Sequence, residues 1–120
     1  MGRRELGQAG ESLAAEHLRS LGWQILERNW RCPAGELDIV AWDPEPPGWV
    51  VFCEVKCRRG LGFGEPLEAI TAAKLSKLRE LALHWLRAEP RRVPGFRIDG
   101  IGVLLRPGCR PEITHVRAIG

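Results

Sequence analysis

The run Trp49-Val50-Val51-Phe52-Cys53-Glu54-Val55-Lys56 reads as a buried strand, and it ends by placing a carboxylate and an ammonium on one face. Side chains two apart on a strand share a face. Val50, Phe52, Glu54 and Lys56 therefore project one way, and Val51, Cys53 and Val55 the other. Charged groups are rarely carried into a core unless something pairs with them. A carboxylate that holds a metal, followed by a lysine that orients a water, would explain the placement.

A Glu-x-Lys tripeptide alone arises by accident about once in every few hundred residues, so its weight comes from its frame. Upstream, Glu36-Leu37-Asp38-Ile39-Val40-Ala41-Trp42 reads as a second strand. The loop Asp43-Pro44-Glu45-Pro46-Pro47-Gly48 joins the two, because three prolines cannot continue a ladder. The pair is an antiparallel hairpin. In one register Asp38 lies opposite Glu54, which also sets Val40 against Phe52, Trp42 against Val50, and Glu36 against Lys56. Both faces are mostly apolar, so both are covered, as in a layered α/β protein. Two carboxylates about 5 Å apart at Cβ would repel, and a divalent cation between them resolves the repulsion. Oxygen ligands without a Cys or His cluster point to Mg²⁺ or Mn²⁺.

The remaining elements frame this hairpin. Glu11 to Leu21 reads as a helix with Leu13, Ala14, Ala15, Leu18 and Leu21 as its apolar stripe and Gly22 as its stop, leaving residues 1–9 as an N-terminal tail. Glu11 falls on the buried face of that helix; it either serves the acidic centre or favours the helix start electrostatically. Trp23 to Trp30 is a first strand, followed by a turn at Arg31 to Gly35. After the hairpin, Arg58-Arg59-Gly60-Leu61-Gly62-Phe63-Gly64 matches no phosphate-loop pattern. It is either a connector or a mobile loop touching a phosphate backbone. A long helix spans Thr71, a fitting N-cap, to Ala88. Lys74 stands at the edge of its core stripe, where a snorkelling surface lysine is the plainer reading. Phe96 to Leu105 and Glu112 to Ile119 are the last strands. The order α-β-β-β-α-β-β, with a helical crossover before the fourth strand, sets that strand parallel to the third and predicts a central mixed sheet with helices on its faces.

Composition bounds the rest. At 120 residues and 44% hydrophobic content, residues 1–120 are expected to form one domain. No stretch approaches the roughly 18 apolar residues of a membrane span, and the polar start Met1-Gly2-Arg3-Arg4-Glu5 carries no signal-peptide pattern. A cytoplasmic protein with no membrane partner is the expectation. Cys32, Cys53, Cys57 and Cys109 fit no zinc spacing and are expected as free thiols. His17, His84 and His115 are scattered and read as structural. Arginines far outnumber lysines, fifteen to three; codon bias in a GC-rich genome explains most of the excess, which also suits bidentate contact with phosphate.

Several blocks together resemble a known family. They are Gly10-Glu11, Asn29-Trp30-Arg31, Gly35-Glu36-Leu37-Asp38-Ile39-Val40, Val51-Phe52-Cys53-Glu54-Val55-Lys56-Cys57-Arg58, Phe63-Gly64, Pro66, Glu68-Ala69 and Lys74. The chain resembles the YraN family of small bacterial proteins, which is similar to the restriction-endonuclease-like superfamily and to archaeal Holliday-junction resolvases. That resemblance implies a Mg²⁺- or Mn²⁺-dependent nuclease with Glu11, Asp38, Glu54 and Lys56 as catalytic residues. Asp38, Glu54, the backbone carbonyl of Val55 and Glu11 would be the metal ligands, and Arg58, Arg59 and Lys74 the phosphate grips. It further implies branched DNA as substrate and a homodimer. Cys53 and Cys57 depart from the family's more usual Val and Thr. The rival reading is a module on the same fold that binds nucleic acid or protein without cleaving.

Overall fold

The computed structural model describes residues 2–60, 62 and 64–120. Helix α1 (Arg3–Ser20) precedes strands β1 (Gln24–Cys32), β2 (Gly35–Asp43) and β3 (Trp49–Arg58). A 3-10 turn at Pro66–Ala69 leads into helix α2 (Ala72–Ala88), and strands β4 (Phe96–Leu104) and β5 (Glu112–Val116) follow. The five strands make one mixed sheet in the order β1-β2-β3-β4-β5. All neighbours are antiparallel except β3 and β4, which run parallel as the helical crossover predicts. The hairpin register is also the expected one, with Val40 opposite Phe52 and Trp42 opposite Val50.

Each face of the sheet is sealed by one helix. On the first face, Ala14, Ala15 and Leu18 of α1 pack on Ile39, Val51, Cys53 and Ile101. On the second, Leu78, Leu81, Ala82 and Trp85 of α2 pack on Val40, Val50, Phe52 and Ile98. Strand β3 thus alternates between two cores, and a fully buried side chain such as Phe52 contributes roughly 1.5–3 kcal/mol. An edge-to-face contact from Phe52 to Trp85 at 5.7 Å ties α2 to the sheet, and a second, to Phe96 at 5.8 Å, joins β3 to β4.

Two boundaries differ from the sequence reading for tertiary reasons. Helix α1 begins at Arg3, so the stretch expected as a tail is helical from there onward. Gly7 and Gly10 are poor helix formers and hide this extension. Gly10 permits it, because a Cβ there would lie 2.7 Å from Cys57 Cβ. Its absence lets the helix lie flush on the end of β3. Strand β5 stops at Val116 because the chain turns through Ala118, at φ 53, and sends the Ala118 N–H to Asp99 Oδ1.

The start of α2 is pinned from two sides. Thr71 Oγ1 accepts from the Lys74 N–H at 3.2 Å, the expected cap. The 3-10 turn before it rests on Gly100 and Gly102 of β4, where added Cβ atoms would lie 3.1–3.2 Å from Leu67 and, at Gly102, equally close to Pro66. These two glycines are the seat that sets the height of Lys74 above the sheet.

Candidate functional site

Strands β2 and β3 part just where the acidic residues begin. Their ladder ends at Ile39 opposite Cys53. One step further, the Val55 N–H donates to Asp38 Oδ2 at 2.8 Å instead of to a β2 carbonyl. The expected alignments of Asp38 with Glu54 and Glu36 with Lys56 therefore fall beyond the paired region, and Glu36 instead meets Arg31 at 3.4 Å. The N–H and C=O of one strand residue point to the same side, so the Val55 carbonyl is turned toward the same gap.

The parting has a local cause. Ile39 belongs to the α1-side core while Leu37 belongs to the α2-side core, so the alternation of β2 slips across Asp38. Neighbouring β1 slips at the matching point. Arg28 reaches Glu11 on α1, Trp30 packs on the α2 side, and Asn29 between them has φ 54. Asparagine tolerates that left-handed conformation better than most side chains. Asp38 is held in a seam between strands rather than on a flat face.

Three carboxylates gather along this seam. Glu11 is 8% exposed, and its Oε1 accepts from Arg28 Nε at 3.3 Å. Burial, followed by the charge of Asp38, pushes its carboxyl up; Arg28 and Asn29 offset part of that. Asp38 is also raised, first by burial and then by Glu36, against the Val55 N–H and the charges of Lys56 and Lys74. Glu54 is 5% exposed and lies 3.6 Å from both Lys56 Nζ and Lys74 Nζ. Burial and then Asp38 raise it, and Lys74 and Lys56 oppose the rise. Asp38 is thus the electrostatic centre, acting on Glu11 on one side and Glu54 on the other.

Among the described residues, no three His, Cys, Asp or Glu side chains form a ready-made metal cage. Glu11 is turned to Arg28, and one oxygen of Glu54 is turned to the two lysines. What remains is Asp38 and Glu54, close enough for the Asp38 charge to act on Glu54, beside the Val55 carbonyl. These are oxygen donors, two of them carboxylates, the kind that hard divalent cations take.

Basic side chains surround the seam. A cavity of about 410 Å³ lies beside Glu11 and Asp38, with Arg4 and Arg31 on its walls. Across Val55 a second cavity, of about 510 Å³, is lined by Arg3, Lys56, Arg58 and Arg59. Lys74 is at the acidic centre itself, while Arg58 and Arg59 occupy the neighbouring cavity. Leu61 and Phe63 of the glycine-rich loop lie outside the described residues.

Several contributors were not legible from sequence. Arg3 and Arg4 enter because α1 extends to them, and Arg28 because β1 packs against α1. An asparagine in mid-strand was the one available signal for the slip at position 29. The histidines also hold a surprise. His17 Nε2 lies 3.1 Å from His115 Nδ1, and His115 Nε2 pairs with Asp99 Oδ2 at 2.8 Å. Arg97 bridges Asp99, at 3.0 Å, and buried Asp43, at 2.7 Å. Burial alone would raise the Asp99 carboxyl, but His115, the Ala118 N–H and Arg97 together hold it below its ordinary range. The cysteines are free, as expected, with Cys53 buried in the core.

The profile of "Uncharacterised protein family UPF0102" matches residues 10–103. A UPF0102 protein of Renibacterium salmoninarum is 47% identical over 116 residues, covering 97% of this chain and 96% of the relative. One from Mycolicibacterium smegmatis is 49% identical over 118 residues, covering 98% and 94%. One from Mycobacterium avium is 48% identical over 120 residues, covering 100% and 93%. The matched span runs from the glycine before Glu11 to the end of β4 and takes in every residue of the acidic seam, so this chain belongs to the UPF0102 family, the YraN proteins.

Proposed function

We propose that this protein is a metal-dependent endonuclease that hydrolyses phosphodiester bonds in DNA, built on a restriction-endonuclease-like sheet. The observation that carries the reading is the seam itself: the Asp38 charge raises the pKa of both Glu54 and Glu11 in a half-sealed gap, with two lysines against Glu54. Repelling carboxylates are costly to bury unless a cation joins them. Asp38, Glu54 and the Val55 carbonyl would hold Mg²⁺ or Mn²⁺, and Glu11 lies near enough to Asp38 to complete the acidic field. The ion would supply Lewis-acid polarisation of the scissile phosphate and acidify the attacking water.

The chain's own groups do the rest. Lys56 sits between the seam and the basic cavity, where it orients the water or neutralises charge that builds on phosphorus oxygens in the transition state. As the water oxygen bonds phosphorus, the bond to the leaving sugar oxygen breaks and that oxygen takes up a proton. Lys74, Arg58 and Arg59 grip neighbouring phosphates, giving salt-sensitive affinity with little sequence preference. Branched DNA is the substrate class that the resemblance to resolvases favours, and symmetric cutting of two strands would require a dimer.

The test is incubation of the purified protein with duplex, single-stranded and four-way DNA in Mg²⁺, Mn²⁺ or EDTA. Cleavage should require the metal, disappear in Asp38→Asn, and fall about 10²–10³-fold in Lys56→Ala. One observation favours a second reading, a binding module: Glu54 already has two lysine partners and the acids form no closed cage. Salt-dependent DNA binding with no cleavage in any metal would select that reading.

A further inference from the structure

The cavity across Val55 from the acidic seam carries four cationic side chains, Arg3, Lys56, Arg58 and Arg59, and no carboxylate among its described lining residues, while Lys56 also reaches Glu54 of the seam at 3.6 Å. The Arg58 Nε is shielded from solvent yet has no hydrogen-bond partner among the described residues. A buried guanidinium N–H left unpaired costs free energy that an anionic ligand would recover. The remaining walls include Leu6, Val55 and Cys57, which are apolar.

We infer that this cavity binds a phosphomonoester, the terminal phosphate of a nucleotide or nucleic-acid end, with its sugar against Leu6 and Val55. A volume of about 510 Å³ exceeds what a bare phosphate fills and lies within the range of small-molecule sites. Clustered fixed cations favour a dianion over the single charge of an internal phosphodiester. Arginine forks supply the paired donors that phosphate oxygens accept. The identity of the polymer rests on the nuclease reading, but the pocket's preference for a terminal phosphate does not.

The experiment separates the two. Binding of a short single strand ending in a 5′-phosphate, a 3′-phosphate or hydroxyls at both ends is measured in EDTA by fluorescence anisotropy, with Asp38→Asn alongside. One of the phosphate-ended strands should bind about tenfold tighter than the hydroxyl-ended strand, in Asp38→Asn as in the wild type. Arg3→Ala should erase most of that difference while leaving the hydroxyl-ended strand within about twofold, and Arg58→Ala should erase it too, on top of an equal loss of affinity for all three strands from its general phosphate contact. Arg3 lies in the first exposed turn of α1, so its variant does not endanger the core. In parallel, a nucleoside 5′-monophosphate should raise the Tm of the wild type more than the nucleoside does, and this gain should be lost in Arg58→Ala. Equal affinity for all three strands with no nucleotide-dependent Tm gain overturns the pocket, as does a preference that survives both arginine variants. Absence of cleavage in any metal with the end preference intact removes the nuclease reading and leaves the pocket standing.

Discussion

Asp38 has two roles that a single substitution pulls apart. Its Oδ2 accepts the Val55 N–H at 2.8 Å, which a neutral amide oxygen can also do. Its charge raises both Glu11 and Glu54. Carboxyls whose folded pKa lies above the unfolded one bind protons more readily when folded, so their contribution to stability declines as pH rises through that interval. At neutral pH, without a cation, the seam is therefore a cost. Asp38→Asn should raise the Tm of the metal-free protein by about 1–3 °C at pH 7 and abolish any Tm gain on adding Mn²⁺. A lower Tm would mean the carboxylate is structural. His17 works in the opposite direction. Burial, then the charges of His115 and Arg117, hold its folded pKa below its ordinary value of 6.5. Its stabilising contribution is complete above that value and declines as pH falls below it. Asp99 behaves similarly in stronger acid, with stability lost below its ordinary 3.8 as pH falls through its lower folded value. The groups facing this pair are Asp99 and Arg97 on β4, Asp43 at the end of β2, and Arg117 after β5. In urea titrations, the wild type should lose stability relative to His17→Gln as pH falls from about 7 to about 5; parallel pH profiles for the two proteins would dismiss the histidine pair as a titrating contact.

Helix α1 carries one acid of the seam and the arginines on both of its flanks, so its seating on β3 decides the site. Two of its glycines predict opposite outcomes. A Cβ on Gly10 would come within 2.7 Å of Cys57 Cβ and 2.8 Å of its sulfur. Gly10→Ala should therefore cost about 1–3 kcal/mol and lift the helix away from the seam. A Cβ on Gly7 would meet nothing within 4 Å. Gly7→Ala should stabilise by about 0.5–1 kcal/mol through helix propensity alone. Denaturant midpoints of the two variants check this, and a neutral Gly10→Ala would place α1 differently. At the other end of the site, α2 is positioned by Thr71 and by the glycine seat on β4, which together present Lys74 to Glu54.

Across the whole molecule the formal charge is only +3, yet the cations are not evenly spread. Arg3, Lys56, Arg58 and Arg59 share one cavity, and Arg4 and Arg31 flank the next. Affinity for a polyanion depends on this local array rather than on net charge. The logarithm of the DNA association constant should fall linearly with the logarithm of salt concentration, by about 0.7–0.9 for each phosphate contacted. Arg58→Ala should flatten that slope by about 1, whereas Arg106→Ala, at an exposed pair with Glu112, should leave it unchanged. A slope unaffected by Arg58 would move the nucleic-acid surface elsewhere. No helix among the described residues is long and apolar enough to cross a membrane.

Much of the architecture was local and therefore legible. Period-two alternation marked β2 and β3, proline and glycine marked their turn, Thr71 marked the start of α2, and a helical crossover implied the parallel β3–β4 pair. Glu11, Asp38, Glu54 and Lys56 stood out as charge on apolar faces, and the resemblance to a known family joined them, with Lys74, into one candidate site. What these residues do to one another depended on packing. The slip at Asn29 and Asp38 breaks the alternation by which facing residues were assigned, and it exchanges an expected ladder pair for a side chain capping the Val55 N–H. Gly10 lets the extended α1 lie flush on the end of β3, and that contact brings Arg3 and Arg4 to the site. His17 and His115 meet across 98 positions of chain, a separation over which no pattern in the sequence carries information. Residue type and local period determined which groups would be buried; only the folded sheet decided which of them would be neighbours, because contacts between distant segments are set by shape and volume rather than by order along the chain.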